Sequence, residues 1–165
     1  MDTPAFDWSR FTLKIGISTD LERIFNAWTS QLAIESWFLS KAEFTDPNGN
    51  LKTKESKIGV GDTYEWEWYS SDYVASGEVI SIDDSRSLSF TFLGCVVQVS
   101  FYEEAGETIV KIEQSSIPTD EASIVSFHVG CTRGWTFYLA NLKSLLEGGL
   151  DLRNKNKGLK GVVNA

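Results

Sequence analysis

Histidine, cysteine and methionine are scarce in this sequence of 165 residues, which contains one His, two Cys and one Met. The cysteines, Cys95 and Cys131, lie far apart and form no CxxC motif. A structural zinc site takes four Cys or His ligands, so we expect no metal site and no disulfide framework. The glycine-rich run at 59–62 lacks the Lys and Ser/Thr of a phosphate loop, and we expect no cofactor.

Long apolar runs and an excess of basic residues are also missing. No stretch approaches the ~18 consecutive apolar residues of a membrane span, and residues 1–20 lack a cationic start followed by an apolar run. Lys and Arg number 15 against 23 Asp and Glu, a net charge of −8 that repels nucleic acid. The sequence therefore predicts a cytoplasmic protein that binds neither membranes nor nucleic acid.

The charge is unevenly distributed along the chain. Residues 1–140 contain 10 basic and 21 acidic residues, a net charge of −11, whereas residues 141–165 contain 5 and 2, a net charge of +3. Residues 151–165 also lack hydrophobic periodicity, which is typical of an extended or mobile segment. We therefore expect one domain over residues 1–150, and over 151–165 a polar, basic tail that packs on this acidic domain or on a partner.

Aromatic residues, by contrast, are abundant, with 6 Trp, 10 Phe and 5 Tyr. A chain of this length suits one domain with one hydrophobic core. That core, or a pocket inside it, must be rich in aromatic rings.

Hydrophobic periodicity indicates an α+β protein. Residues 11–18 alternate apolar and polar side chains as a half-buried strand does, and Thr19 with Glu22 resembles a capping box that begins a short helix. A second short helix would end at Trp37. Residues 41–115 contain further strand patterns separated by turns too short for crossover helices, which predicts an antiparallel meander. The lysine-rich segment 51–57 is typical of an exposed sheet edge.

A long helix is predicted near the C-terminus. Its apolar stripe ends before Gly148 and Gly149, which terminate the helix. Gly130 and Gly134 weaken the earlier part, so we expect an irregular start there. The stripe, extended backward, comprises His128, Cys131, Trp135, Leu139, Leu142 and Leu146.

This order of elements resembles the START-like superfamily, the helix-grip fold first known from birch pollen allergen. Local motifs look like one branch of it, the heat-shock protein 90 ATPase activator homologue family. The motifs are Trp37-Phe38, Gly61-Asp62-Thr63-Tyr64, Gly77-Glu78-Val79 with Ile82 and Leu88-Ser89-Phe90, Gly106-Glu107-Thr108, and Gly134-Trp135 with Leu139, Asn141-Leu142-Lys143 and Leu146-Glu147-Gly148. The resemblance covers about residues 11–150. It implies a curved antiparallel sheet of about six strands wrapped around the C-terminal helix, two short helices after strand one, and a cavity for an apolar or amphipathic small molecule.

The candidate ligand-binding residues are mostly aromatic. Tyr64, Trp66 and Trp68 share one face of a strand and are expected to form aromatic walls with Phe90 and Phe92. Plain core packing is the alternative for each ring. Trp37, at the end of the second helix, and Trp135, on the long helix, complete the aromatic set.

Three polar or reactive residues join this set. Gln114 alternates with Val110 and Ile112, so its amide is expected on the inner face, where it requires a partner in the ligand, the backbone or water. His128 and Cys131 lie on the stripe of the last helix, where the imidazole could bind a polar ligand head. A Cys–His nucleophile is the less favoured reading, because no third orienting group is identifiable. Glu65 and Glu67 are expected on a solvent-exposed face, and a carboxylate pair for glycoside hydrolysis is the less favoured reading.

Three functions are compatible with these features. The leading hypothesis is a protein that binds a hydrophobic or amphipathic small molecule between the sheet and the C-terminal helix. The alternatives are a chaperone-associated interaction protein of the ATPase-activator type and a cavity enzyme of the cyclase or hydrolase type. We assign no catalytic residues.

Overall fold

Alternating apolar side chains build one antiparallel sheet. The computed structural model describes residues 5–165, and these form seven strands. Numbered along the chain, they are β1 (Phe11–Ile17), β2 (Lys41–Thr45), β3 (Thr63–Glu67), β4 (Val74–Asp83), β5 (Ser87–Phe92), β6 (Cys95–Glu104) and β7 (Glu107–Ser115). The strand order is β1-β7-β6-β5-β4-β3-β2, so consecutive strands β2 to β7 form the predicted meander and β1 joins its far end. The α+β fold is confirmed, with seven strands where about six were expected.

Two short helices, α1 (Leu21–Asn26) and α2 (Gln31–Trp37), follow β1 as predicted. Asp20 caps α1, because its carboxylate accepts a hydrogen bond from the backbone N–H of Arg23 at 2.7 Å. The predicted cap at Thr19 is therefore wrong by one residue. The hydroxyl of Thr108 on β7 donates to the Thr19 carbonyl at 2.6 Å and holds this residue at the sheet, so the helix begins after it.

The C-terminal helix has three continuous parts. They are α3 (Glu121–Ser123), a π-helical turn (Ile124–Val129) and α4 (Gly130–Leu146). The π-helical turn is the irregular start that the glycines predicted, since the Gly130 N–H bonds to the Val125 carbonyl five residues earlier. The helix ends before Gly148, whose φ of 83° suits glycine.

The segment between β2 and β3 differs from the prediction. Residues 51–57 form no edge strand, and within them Leu51 bridges Thr45 of β2 and Lys57 bridges Ser30. Asp62 is 2% exposed and accepts hydrogen bonds from the Lys52 ammonium and the Gly59 N–H, both at 2.7 Å. This buried ion pair holds Lys52 inward, so the segment runs as a loop.

Aromatic rings fill most of the space between the sheet and the helices. Trp37 packs on Trp28 with ring centroids 4.7 Å apart, and Phe38 stacks on Trp135 of α4 at 5.1 Å. These rings join α2 and the residues that follow α1 and α2 to α4, and they form one core with the inner face of the sheet. Its position between sheet and helix is that of the helix-grip fold.

Residues 151–165 contain no helix or strand and lie against the rest of the protein. The side chain of Arg153 is 2% exposed and donates to the carbonyls of Glu35 and Leu39 at 3.0 Å and of Ser36 at 2.9 Å. Asn141 of α4 accepts a hydrogen bond from the Leu152 N–H at 2.7 Å. The basic segment thus packs on the acidic part of its own chain. The division into a domain of residues 1–150 and a tail of residues 151–165 stays a prediction.

Candidate functional site

A pocket of about 390 Å³ lies at one end of the space between the sheet and the C-terminal helix. Its walls come from the end of α2, the β3–β4 loop, the β5–β6 turn, one face of the C-terminal helix and the final residues of the chain. The volume falls within the range of about 300–1,000 Å³ that is usual for small-molecule sites. The ring-bearing residues of the lining are Phe38, Trp68, Phe92, Trp135 and Tyr138.

The aromatic walls arise where two strands end. Trp68 follows the last residue of β3, and Phe92 is the last residue of β5. Their rings lie 6.2 Å apart, and Phe92 packs against Trp135 of α4 at 5.6 Å. Aromatic side chains at the two strand ends therefore line the space between the sheet and α4.

Two glycines of the C-terminal helix keep this space open because they have no side chains. Gly130 and Gly134, four residues apart on one face, both line the pocket. A Cβ atom added at Gly134 would meet no heavy atom within 4 Å. These glycines, which were expected from the sequence to weaken the helix, are thus the sequence signal for the pocket's position.

The pocket lining carries no charged side chain among the described residues. Burial raises the pKa of the Cys131 thiol and of the Tyr138 phenol, so both groups are neutral near pH 7. The Tyr138 hydroxyl donates a hydrogen bond to the Ala165 carbonyl and ties the final residues to α4. The polar side chains of the lining are otherwise three serines, Ser70, Ser71 and Ser126.

Of the ten residues predicted to contact a ligand, the structure brings four together at this pocket. They are Trp68, Phe92, Cys131 and Trp135. Phe38, Tyr138, Gly130, Gly134 and the serines also line it and were missed by sequence reasoning. Their positions depend on long-range packing, which alternation along single strands does not report.

Four other predicted aromatics lie in the packed core. Tyr64 stacks on Trp66 with ring centroids 3.9 Å apart, and the space remaining beside them and Phe90 is about 10 Å³. Trp37 is 1% exposed and donates its indole N–H to the Ala27 carbonyl at 2.8 Å. Their assignment as ligand contacts stays a prediction.

Gln114 lies behind the pocket wall. It is fully buried, and its carbonyl oxygen accepts the indole N–H of Trp135 at 3.0 Å. Its NH₂ group has no hydrogen-bond partner among the described residues. Gln114 therefore orients a pocket residue but does not itself line the pocket.

His128 faces away from the pocket, toward the N-terminal segment. Its Nε2 lies 3.1 Å from the Arg10 carbonyl, and Phe6, Trp8 and Phe11 surround its ring at 5.1–5.5 Å between centroids. Among the described residues no hydrogen bond joins His128 to Cys131, and the raised pKa of that thiol disfavours a thiolate nucleophile.

A second, polar groove of about 700 Å³ lies on the outer face of β2, β3 and β4. Glu43, Glu65 and Glu78 line it, and Glu43 stands directly opposite Glu65 in the strand register. Like charges in this arrangement repel each other. The groove thus has negative walls, although the Lys41 ammonium lies 3.5 Å from the Glu43 carboxylate.

Neither a metal-binding cluster nor a membrane-crossing helix is found among residues 5–165. No group of three or more His, Cys, Asp or Glu side chains in this range is placed to hold a metal ion. None of the helices in the same range is long and apolar enough to cross a membrane.

Comparison with solved structures places the fold among known proteins. A protein of Staphylococcus saprophyticus superposes with a TM-score of 0.68 and 19% sequence identity, over 87% of this chain and 96% of that one. The solution structure of the Aha1 dimer from Colwellia psychrerythraea gives a TM-score of 0.66 and 19% identity, over 85% and 97%. A protein from the dynemicin biosynthetic locus gives 0.67 and 16%, over 89% of this chain and 50% of that one. These likenesses show a shared fold.

Sequence comparison identifies the family. Among curated proteins, no significant match to this sequence was found. The family described as Activator of Hsp90 ATPase homolog 1-like protein matches residues 18–147, which include strands β2 to β7, both short helices and the whole C-terminal helix, but not β1. The chain belongs to the Activator of Hsp90 ATPase homolog 1-like protein family, as its sequence motifs and its helix-grip fold both indicate.

Proposed function

We propose that this protein binds a hydrophobic or amphipathic small molecule in the pocket beside Gly134, and that it does so in the cytoplasm. The observation that carries the proposal is a pocket of about 390 Å³ with five ring-bearing residues in its walls. Aromatic walls with a few polar groups are typical of small-molecule sites. The lining has no charged side chain among the described residues, which favours an apolar occupant, since a charged one would lose its hydration without pairing with a side chain of opposite charge.

The contrast with the rest of the interior supports a specific site. Beside Tyr64 and Trp66 the remaining space is about 10 Å³, which is too small for a ligand. Protein interiors are normally close-packed, and the interior beside Tyr64, Trp66 and Phe90 fits this rule. The open space therefore coincides with the two glycines of α4 and not with generally loose packing.

A pocket-filling variant provides the test. Nile red, an uncharged dye that fluoresces in apolar surroundings, is titrated against the wild type and Gly134→Leu. The leucine projects into open space, and replacing glycine within a helix favours folding by up to about 1 kcal/mol. We expect saturable binding to the wild type and at least tenfold weaker binding to Gly134→Leu.

The matched control is Ala140→Leu, which adds the same side chain class at an exposed position of α4. It should bind the dye as the wild type does. Equal affinity of both leucine variants, or no saturable binding to the folded wild type, would contradict the proposal.

A chaperone-associated role is the second candidate. It is favoured by the family description and by the negative groove of Glu43, Glu65 and Glu78, which suits a basic surface of a partner. We expect a chaperone partner to lose affinity for Glu65→Gln and to bind Glu22→Gln, on α1 outside the groove, normally. Failure of the wild type to co-purify with its cognate chaperone or to stimulate its ATPase would exclude this role.

A further inference from the structure

One wall of the pocket is built by a segment that is loosely attached to the rest of the protein. Gly161, Val162 and Ala165 line the pocket, and they belong to residues 154–165, which contain no helix or strand. Each residue of this segment, which we call the flap, is exposed or half-buried, whereas Arg153 directly before it is buried. Segments with few buried contacts open locally at a low cost in free energy.

Few contacts hold the flap against the other walls of the pocket. Among residues 5–165, one hydrogen bond joins the flap to the helices and strands, from the Tyr138 hydroxyl to the Ala165 carbonyl. On the side of the β3–β4 loop, the Lys160 ammonium lies 3.6 Å from the Asp72 carboxylate. Both of these side chains are exposed, and exposed ion pairs contribute little to stability. The closed position of the flap is therefore held weakly.

The flap is firmly fixed only at its neck. The Asn164 side-chain amide donates to the Leu152 carbonyl at 3.2 Å, and the Asn164 carbonyl accepts the backbone N–H of Asn154. These bonds bring the two ends of the flap together beside the buried side chain of Arg153. Compact loops with adjacent ends are frequently functional. The flap is thus a closed loop that is anchored at one point.

We propose that the flap is a gate, which opens about its neck at Arg153 to let the ligand enter and leave the pocket, and then closes to complete the wall. The inference rests on the proposed function, since it concerns how the same pocket is reached. Loops that close over binding sites move on the microsecond to millisecond timescale, and their motion can limit the rate of ligand exchange.

Variants that weaken the closed position test the gate. Lys160→Met removes the ion pair with Asp72, and Asn164→Ala removes the side-chain bond to Leu152, while neither Lys160 nor Asn164 lines the pocket. Stopped-flow fluorescence measures the association and dissociation rate constants of Nile red with the wild type and with the double variant. A gate that opens more often in both the free and the bound protein raises both rate constants equally and leaves the dissociation constant unchanged.

We expect both rate constants to rise about threefold to tenfold in the double variant, the effect of losing one net hydrogen bond and one exposed ion pair. Lys157→Met is the matched control, because it removes the same charge at an exposed position of the flap. Its rate constants should equal those of the wild type. Unchanged rate constants in the double variant, or a rise in dissociation alone, would show a static wall and overturn the inference.

Cys131 gives a second measurement, which needs no ligand. Its thiol lines the pocket, and in a Cys95→Ala background it is the single thiol of the protein. The Cys131 thiolate attacks dithiodipyridine, an uncharged aromatic disulfide, forming a mixed disulfide and releasing thiopyridone, which is followed by its absorbance. In this background the reaction should be about threefold to tenfold faster in the double variant than in the wild type or Lys157→Met. Equal rates in all three proteins would overturn the gate.

The two proposals fail in different ways. If Nile red binds saturably but neither the rate constants nor the reactivity of Cys131 responds to the flap variants, the gate is overturned while the pocket remains a binding site. If the dye does not bind saturably but Cys131 reacts faster in the double variant, the flap controls access to the pocket and the proposed function fails.

Discussion

Arg153 anchors the C-terminal segment, and its removal gives a measurable prediction about how the pocket is closed. Its guanidinium donates to the carbonyls of Glu35, Ser36 and Leu39 at the end of α2, and to the Asp151 carboxylate at 2.8 Å. The last carbonyls of a helix lack partners within the helix and carry partial negative charge, so a cation is well placed there. The substitution Arg153→Met keeps the aliphatic bulk and removes every one of these bonds.

The expected cost follows from burial. Removing one partner of a buried, hydrogen-bonded charge pair costs about 3–5 kcal/mol. Asp151 retains Lys155 at 3.2 Å and is partly exposed, which places the cost near the lower end, at about 3 kcal/mol. For a protein of this size the melting temperature should fall by about 6–12 °C.

The same contact gives a pH dependence. Burial alone would raise the pKa of Asp151, but hydrogen bonds from Arg153 outweigh this and hold its pKa well below the ordinary value. A carboxyl group with a lowered pKa stabilises the fold fully above its unfolded pKa of about 3.9, and that stabilisation is lost as the pH falls further. As the pH falls below about 4, the wild type should therefore lose more of its stability than Arg153→Met does.

Thermal unfolding followed by circular dichroism at pH 7 and at acidic pH measures both effects. Arg133→Met, at an exposed position of α4, is the matched control and should melt within about 1 °C of the wild type. Because Gly161, Val162 and Ala165 line the pocket, Arg153→Met should also weaken dye binding. A melting temperature equal to that of Arg133→Met would refute the anchoring role.

Three further outcomes are expected. Asp62→Asn should lower the free energy of unfolding by about 2 kcal/mol because it breaks the ion pair with Lys52. The control Asp84→Asn, at an exposed position, should not lower it. Equal urea midpoints for the two variants would show that the ion pair does not stabilise the fold. Gln114→Glu puts a carboxylate in a fully buried position, so it should lower the free energy of unfolding by about 3–5 kcal/mol at pH 7 and by less below pH 4. Gln98→Glu, at an exposed position, should show no such loss. A loss of stability in Gln114→Glu that does not change with pH would contradict this. Burial raises the pKa of Tyr64 and Tyr138, so alkaline absorbance titration should show two of the five tyrosines ionising only on unfolding; normal titration of all five would disprove their burial.

Alternation along single strands predicted which side chains face inward. On β3 it correctly separates Tyr64 and Trp66, which are 2% and 3% exposed, from the exposed Glu65. It does not report how far each inward ring lies from the helix. Tyr64 and Trp66 stack on each other in the core, while Trp68, beyond the strand end, lines the pocket together with Gly130 and Gly134 of the helix. The predicted aromatic wall therefore divides into a filled core and a pocket.

The C-terminal segment shows a different limit of sequence reasoning. Arg153 lies in a stretch without periodicity, and its role depends on the carbonyls of Ser36 and Leu39, more than a hundred residues earlier in the chain. Nothing local to Arg153 reports those partners. The excess of positive charge in this segment predicted packing against the acidic body as one of two alternatives, but it did not predict which cation would be buried.

The most direct test of the binding site uses the backbone amides of the pocket glycines. In a ¹H–¹⁵N correlation spectrum of the labelled protein, Nile red should shift the signals of Gly130, Gly134 and Gly161, which line the pocket. The signals of Gly49 and Gly106, in turns away from the pocket, should remain in place. Saturable shifts confined to the first group are the predicted result. Shifts centred elsewhere, or none at saturating probe, would contradict a ligand site between the sheet and α4.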